Sequence, residues 1–185
     1  MSWIEGFDTG LCLNGARVQL RPMRASDAEQ WLGIMADPEV MRYWHHGPWQ
    51  TLAEAEVALL ADRAAYLAGR SLKLGIYPQG SDLLLGMCQF FSIDAESRRG
   101  EIGYCLASAA QGQGYMREAL ELFVEYLAIG LGMRRLEAEI DPRNHASART
   151  LERMGFEREG LLRERWCIAG EVSDSALYGL LLESS

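Results

Sequence analysis

The sequence predicts a mixed α/β fold, a mostly antiparallel sheet of six or seven strands flanked by four helices. Three observations carry that expectation. Apolar residues recur at every second position in several short runs and at every third or fourth position in others. The two kinds of run are interleaved along the chain, as in a sheet with helices packed on it. Paired strand-like runs joined by turn residues lie towards both ends and read as antiparallel hairpins.

Residues 16–23 (A-R-V-Q-L-R-P-M) alternate apolar and polar, a half-buried first strand stopped by Pro22. Ser26 and Glu29 have capping-box spacing and predict a helix to about Ala36, closed by Asp37-Pro38. An aromatic, turn-rich loop follows (Tyr43, Trp44, His45, His46, Gly47, Pro48, Trp49), and then Thr51 with Glu54, a second capping box. The helix that it opens runs to about Ala68, with Gly69 as its stop. Runs 72–77 and 83–92 read as strands joined through Pro78-Gln79-Gly80-Ser81, and 100–107 as a third. Met116, Ala119, Leu120, Phe123, Leu127 and Leu131 keep helical spacing over 115–131, and Gly132 is the expected C-cap. Run 135–140 is a strand and 146–154 a short helix ending at Gly155. Runs 156–160 and 163–168 form one bent strand, and 175–182 is the last strand after a Gly170-Glu171 turn.

With 185 residues, 49% of them hydrophobic and 24% charged, the chain fits a single domain over 1–185 that folds around one core. No apolar run approaches the ~20 residues of a membrane span, and the acidic start Met1-Ser2-Trp3-Ile4-Glu5 is unlike a secretory signal, so the expected location is the cytoplasm. Cys12, Cys88, Cys105 and Cys167 are widely spaced, without a C-x-x-C pair, and read as free thiols, three of them in apolar strands. His45 and His46 are adjacent and point opposite ways on an extended segment, so no metal site is expected. A net charge of −8 disfavours nucleic acid and mildly favours a cationic partner.

The stretch that carries chemistry is Gln111-Gly112-Gln113-Gly114-Tyr115-Met116, between a strand and a helix. Two glycines at a helix entry allow close backbone approach. N–H groups without helical partners then converge at the positive end of the helix dipole, an anion cradle suited to a pyrophosphate. No Lys-Ser or Lys-Thr follows, so it is not a Walker A loop, and Arg117 stands where a dinucleotide fingerprint has its third glycine.

Q-G-Q-G-Y-M resembles the Q/R-x-x-G-x-G/A acetyl-CoA loop of the GNAT acetyltransferase superfamily. E-I-G-Y-C-L (101–106) resembles the fourth strand of its ribosomal-protein N-acetyltransferase branch. The segment from Asn144 through Ser147 and Leu151-Glu152-Arg153-Met154-Gly155-Phe156 is similar to that branch's N-x-x-S-x-x-x-L-E-K-x-G-F. Asp174 to Leu181 is similar to its closing D-x-x-L-Y-x-L-L strand. The chain departs from the loop pattern at Met116, where Gly or Ala is usual, and the longer side chain must turn toward the core.

The resemblance implies acetyl-CoA as co-substrate and a sheet splayed between its fourth and fifth strands. The pantetheine arm would pair there like an added strand, held by main-chain groups near Leu106, with Gln111, Gly112, Gln113, Gly114, Tyr115 and Met116 around the phosphates. It implies direct attack of a primary amine on the thioester, with Glu101 as base beside it and strand N–H groups stabilising the oxyanion. Many members use a tyrosine to support the leaving thiolate. Leu151 stands at that place here, so Ser147, one turn earlier on the same helix face, becomes the candidate. Asn144 either tethers the pantetheine or caps its helix. Tyr43, Trp44 and Trp49 either line the acceptor pocket or pack their loop onto the core. Asp174 or other surface acids would attract the ammonium. A protein N-terminus, a free amino acid, a polyamine and an antibiotic all remain open as acceptor, and the alternative to an enzyme is a non-catalytic acyl-CoA sensor.

Overall fold

The computed structural model describes residues 10–182. Residues 1–5, on which the reading of the chain start rests, lie outside that range. The described residues form an eight-stranded sheet in the order β1-β2-β3-β4-β5-β6-β8-β7. Its strands are β1 (Leu13–Asn14), β2 (Val18–Arg21), β3 (Leu72–Pro78), β4 (Gly86–Asp94), β5 (Arg99–Leu106), β6 (Arg135–Ile140), β7 (Glu157–Ile168) and β8 (Glu171–Leu181). Every neighbouring pair is antiparallel except β5 with β6, which is parallel. The expected six or seven strands fall short by β1, whose two residues pair with Leu20 and Gln19 and are too few to show alternation.

Among the described residues five α-helices replace the expected four: α1 (Ala28–Met35), α2 (Pro38–Met41), α3 (Leu52–Leu67), α4 (Tyr115–Glu125) and α5 (His145–Arg153). Asp37-Pro38 ends α1 as expected but also opens α2. The Asp37 carboxylate accepts the Glu39 N–H at 2.9 Å, and proline fits a first helical position where no N–H is needed. The Ser26–Glu29 box does not form, because Ser26 lies inside a 3₁₀ turn (Ala25–Asp27). Asp27 does the anchoring instead. Its Oδ2 accepts the Arg24 N–H at 2.7 Å, the Tyr77 hydroxyl at 2.7 Å and Arg21 Nη1 at 3.2 Å. The guanidinium of Arg21 also stacks 3.7 Å above the Tyr77 ring. This charge is 2% exposed and has three donors, as a buried carboxylate requires. The Thr51–Glu54 box forms as predicted, and Gly69 ends α3 with φ +64°. After Glu125, α4 widens into a π-helical turn (Tyr126–Gly130), and Gly132 takes the left-handed conformation expected of a cap.

Alternation along the strands divides the core between the two sheet faces. Leu72, Leu74, Ile76, Cys88, Phe90, Ile102 and Leu106 pack with Ala119, Leu120 and Phe123 of α4 and Leu151 of α5. Tyr77, Met87 and Cys105 point the other way, onto Trp31, Ile34 and Met35 of α1, Met41 of α2 and Leu59 of α3. All four cysteines are free. Burial pushes the Cys88 and Cys105 thiols up, Cys105 to about 12. Cys167 departs from expectation: it lies in a strand, but β7 is an edge strand and leaves it exposed.

Two features position the site. Strands β5 and β6 pair only at Arg99↔Arg135, Gly100↔Leu136 and Glu101↔Glu137, and beyond Glu101 they separate. At the far end of β5, strand β4 approaches so closely that a Cβ on Gly86 would overlap the Cys105 carbonyl and lie 2.8 Å from Leu106 Cα. Only glycine allows that approach. The described residues contain no helix long and apolar enough to cross a membrane.

Candidate active site

The fork between β5 and β6 leaves the last five residues of β5 without a partner on one side. Glu101 stands at the branching point, half-buried, and its carboxylate makes no hydrogen bond or ion pair among the described residues. By register, Glu101 shares its sheet face with Glu137 and Glu139 of β6. Those two are neutralised. Glu137 meets Arg99 at 3.0 Å and Arg135 at 2.8 Å, while Glu139 accepts from Trp166 Nε1 at 2.9 Å and lies 3.4 Å from Arg165 Nε. Glu101 is therefore the one carboxylate of this row without a hydrogen-bond or ion-pair partner among the described residues.

The opposite face of the fork carries hydroxyls. Tyr104, two residues beyond Ile102 on β5, reaches across to the first turn of α5. Its hydroxyl lies 2.8 Å from Ser147 Oγ and 3.2 Å from the Ser147 carbonyl. Burial pushes the Tyr104 phenol well above its ordinary value, outweighing the downward pull of the Ser147 hydrogen bond. Asn144 caps α5 by accepting the Ser147 N–H at 3.1 Å, which fixes where Ser147 stands. Leu151 is fully buried and faces the core.

The glycine loop lies past the end of β5. Gly112 and Gly114 have φ of +73° and +82°, a left-handed pair that L side chains resist. Gln111 Nε2 donates to the Leu106 carbonyl at 3.2 Å and Gln113 Nε2 to the Ala109 carbonyl at 2.8 Å, tying the loop to the strand end. Arg17 braces it from outside: Nη1 donates to the Gln113 carbonyl at 2.9 Å, and the guanidinium lies 4.4 Å over the Tyr115 ring. Glu118, in the first turn of α4, accepts the Arg17 N–H at 2.7 Å. The N–H groups of Tyr115, Met116 and Arg117 open α4 without a helical acceptor, and the Glu118 N–H is the first to find one, the Gly114 carbonyl at 3.3 Å. Met116 is partly buried and packs on the core, as its size demanded.

The aromatic loop packs partly on the core and partly towards β6 and β7. Trp49 packs edge-on against buried Trp31 at 5.9 Å, and Trp44 is half-buried against the same core. Tyr43 reaches the mouth of the fork, where its hydroxyl donates to the Arg143 carbonyl at 3.3 Å. His45 crosses to β7, with its ring 5.2 Å from Trp166. Asp174 is engaged locally, its Oδ1 accepting the Glu164 N–H at 2.8 Å inside the β7 bulge. A surface hollow of about 510 Å³ beside that bulge is lined by residues 161–165.

Sequence reasoning missed Arg17, Tyr104, Glu139 and Trp166. For Tyr104 the signal was present, since alternation from Ile102 puts it on the face of α5. For the other three the link is tertiary and leaves no local pattern.

A mostly antiparallel sheet that forks between two parallel strands, with a left-handed glycine loop at the head of a helix, agrees with the acyl-CoA-dependent transferase class that the sequence resembles. The chain matches the family model described as Acetyltransferase (GNAT) domain over residues 17–157. It is 32% identical to the protein named uncharacterized N-acetyltransferase p20 of Bacillus licheniformis, over 89% of this chain and 93% of that protein. It is 28% identical to the [ribosomal protein uS5]-alanine N-acetyltransferase of Escherichia coli, over 60% of this chain and 58% of that one. The structure of Mycobacterium smegmatis RimJ in complex with CoA-disulfide superposes with a TM-score of 0.81 at 25% identity, covering 89% and 81% of the two chains. The chain belongs to the GNAT acetyltransferase family. It is an acetyl-CoA-dependent N-acetyltransferase.

Proposed function

We propose that this enzyme acetylates an α-amine, such as a protein N-terminus, by direct attack in a ternary complex with acetyl-CoA. The observation that carries the reading is the unpaired carboxylate of Glu101 at the branching point of the fork, beside two neutralised neighbours. A protein α-amine, with pKa near ~8, is about one-tenth neutral at pH 7, whereas a lysine is below about a thousandth, so a single modest base suffices for the first.

In this reading the pantetheine arm lies along the open side of β5, near Leu106. Gln111, Gly112, Gln113, Gly114, Tyr115 and Met116 surround the pyrophosphate through backbone N–H groups, and Asn144 adds a tether beside its capping role. The amine nitrogen bonds to the thioester carbon and gives its proton to Glu101. When the C–S bond breaks, its electron pair stays on sulfur, where Ser147 donates a hydrogen bond. The buried, neutral thiol of Cys105 has no part in the transfer. Tyr43 and Trp44 wall the acceptor side, with Trp49 holding their loop from behind. Asp174, already accepting the Glu164 N–H in its bulge, is a poor site for the ammonium, which the net negative charge of the chain draws in instead. A single domain acting in the cytoplasm, with no nucleic acid as partner, fits this chemistry.

Thiol release from acetyl-CoA, measured against a panel of N-terminal peptides, free amino acids, polyamines and aminoglycosides, tests the reading. Turnover is expected with peptides carrying a free α-amine and none with the same peptides acetylated. Turnover confined to polyamines or aminoglycosides would overturn the acceptor class.

A further inference from the structure

We infer that Tyr104 is a positioning residue for the leaving-group half of the reaction, acting through Ser147. The inference rests on the reading of Ser147 as the hydrogen-bond donor to the departing thiolate.

The argument starts from what each hydroxyl can donate. A serine hydroxyl has one proton and two lone pairs, and so does a phenol. The Tyr104 oxygen lies within reach of both the carbonyl and the Oγ of Ser147, at 3.2 and 2.8 Å. Two arrangements are therefore available to the same pair of atoms. In one, the phenol donates to the Ser147 carbonyl and accepts the Ser147 hydroxyl. In the other, the phenol swings its proton to Ser147 Oγ, which leaves the serine proton free to point elsewhere. Negative charge on a sulfur beside Ser147 favours the second arrangement, because a donor onto Oγ strengthens the bond that Oγ makes onward.

Both hydroxyls keep their protons throughout. The chain Tyr104 to Ser147 to sulfur is a row of hydrogen bonds, and no covalent bond to either residue forms or breaks. Burial holds the phenol neutral across the working range of pH, so it stays a donor. The placement is specific to the fork. Tyr104 stands on the stretch of β5 that has lost β6 as neighbour, and Ser147 stands on the helix that follows β6, so their contact spans the opening. The Asn144 cap fixes the Ser147 backbone, and Tyr104 then fixes its hydroxyl. Leu151, one turn further along α5, is buried in the core, and Tyr104 brings a phenol to the same helix from the strand side.

Three variants, Tyr104→Phe, Ser147→Ala and the double change, are compared by steady-state kinetics with the peptide that the acceptor panel identifies. Phenylalanine keeps the ring and its packing, and melting temperature confirms that the fold is retained. Tyr104→Phe is expected to lower kcat about tenfold with an unchanged KM for acetyl-CoA, and the double variant to turn over at the rate of Ser147→Ala alone. Enzyme carrying 3-fluorotyrosine at position 104, a stronger donor of the same shape, should keep the full rate. Full activity of Ser147→Ala would overturn the underlying role of Ser147. A slowed Ser147→Ala beside a Tyr104→Phe variant of unchanged kcat would overturn the present inference alone, as would an additive loss in the double variant.

Discussion

Replacing Glu101 by glutamine removes basicity and little else. The carboxylate has no protein donor, so the amide orphans no partner, and the change in stability should stay within about 0.5 kcal/mol. Calorimetric titration should give the same affinity for acetyl-CoA, because the loop and the open side of β5 are untouched. The rate is a different matter. Proton transfer by a placed base contributes ~10²–10⁴-fold, and an acceptor already about one-tenth neutral at pH 7 puts the loss near the lower end, about 10²-fold or roughly 2.7 kcal/mol of barrier. The pH profile separates this cause from a structural one. Between pH 7 and 9 an α-amine goes from about one-tenth to about nine-tenths neutral, so the variant should regain roughly ninefold as solvent does the work of the missing base. The assay is thiol release at saturating acetyl-CoA over that range. Full activity of Glu101→Gln at pH 7 would refute the assignment, and a loss that pH 9 leaves unchanged would show that the carboxylate acts other than by deprotonating the amine.

Gly114→Val places a β-branched side chain at φ +82°, which costs about 1–2 kcal/mol in backbone strain, and sets its Cβ near Arg17; calorimetry should show acetyl-CoA affinity down at least about tenfold in a folded protein. Gly86→Ala forces β4 away from Cys105 and Leu106, so denaturant titration should show a loss of about 1–3 kcal/mol, and acetyl-CoA affinity should fall with it. Asp27→Ala leaves Arg21 buried with one carboxylate fewer and strips Tyr77 and the Arg24 N–H of their acceptor; about 3–5 kcal/mol of stability should go in urea unfolding.

The elements that depend on their own residues were legible in the sequence. The Thr51–Glu54 box, the left-handed Gly69 and Gly132, and the bent β7 each follow from a local pattern, and each appears in the fold. What escaped depends on partners far along the chain. The Ser26–Glu29 spacing is sound local chemistry, but Asp27 is claimed by Arg21 and by Tyr77, fifty residues away, and the helix start moves with it. Asp37-Pro38 reads equally as a stop and as a start, and only the Asp37–Glu39 hydrogen bond shows that it is both. At the site, the glycine loop was legible as a motif and Glu101 only through the resemblance of its strand, whereas the place of its carboxylate at the fork comes from the β5–β6 register. Tyr104 meets Ser147 across 43 residues of chain, and Trp49 and His45 of the aromatic loop meet Trp31 and Trp166, contacts that no local pattern encodes.

If the glycine loop holds acetyl-CoA as proposed, the brace of Arg17 on it bears on how quickly the enzyme can load its co-substrate. Ordering a free backbone takes roughly 1–2 kcal/mol per residue, and a flexible phosphate loop would meet that demand at each encounter with acetyl-CoA. Here the guanidinium on Gln113 and Tyr115, with Glu118 holding the Arg17 amide in return, sets the loop when the domain folds. With the loop in the role proposed for it, copies already braced in this shape would lose little of the intrinsic affinity for acetyl-CoA to unproductive conformers. Stopped-flow association should accordingly rise linearly with acetyl-CoA concentration, without the plateau that a slow rearrangement of the loop would impose.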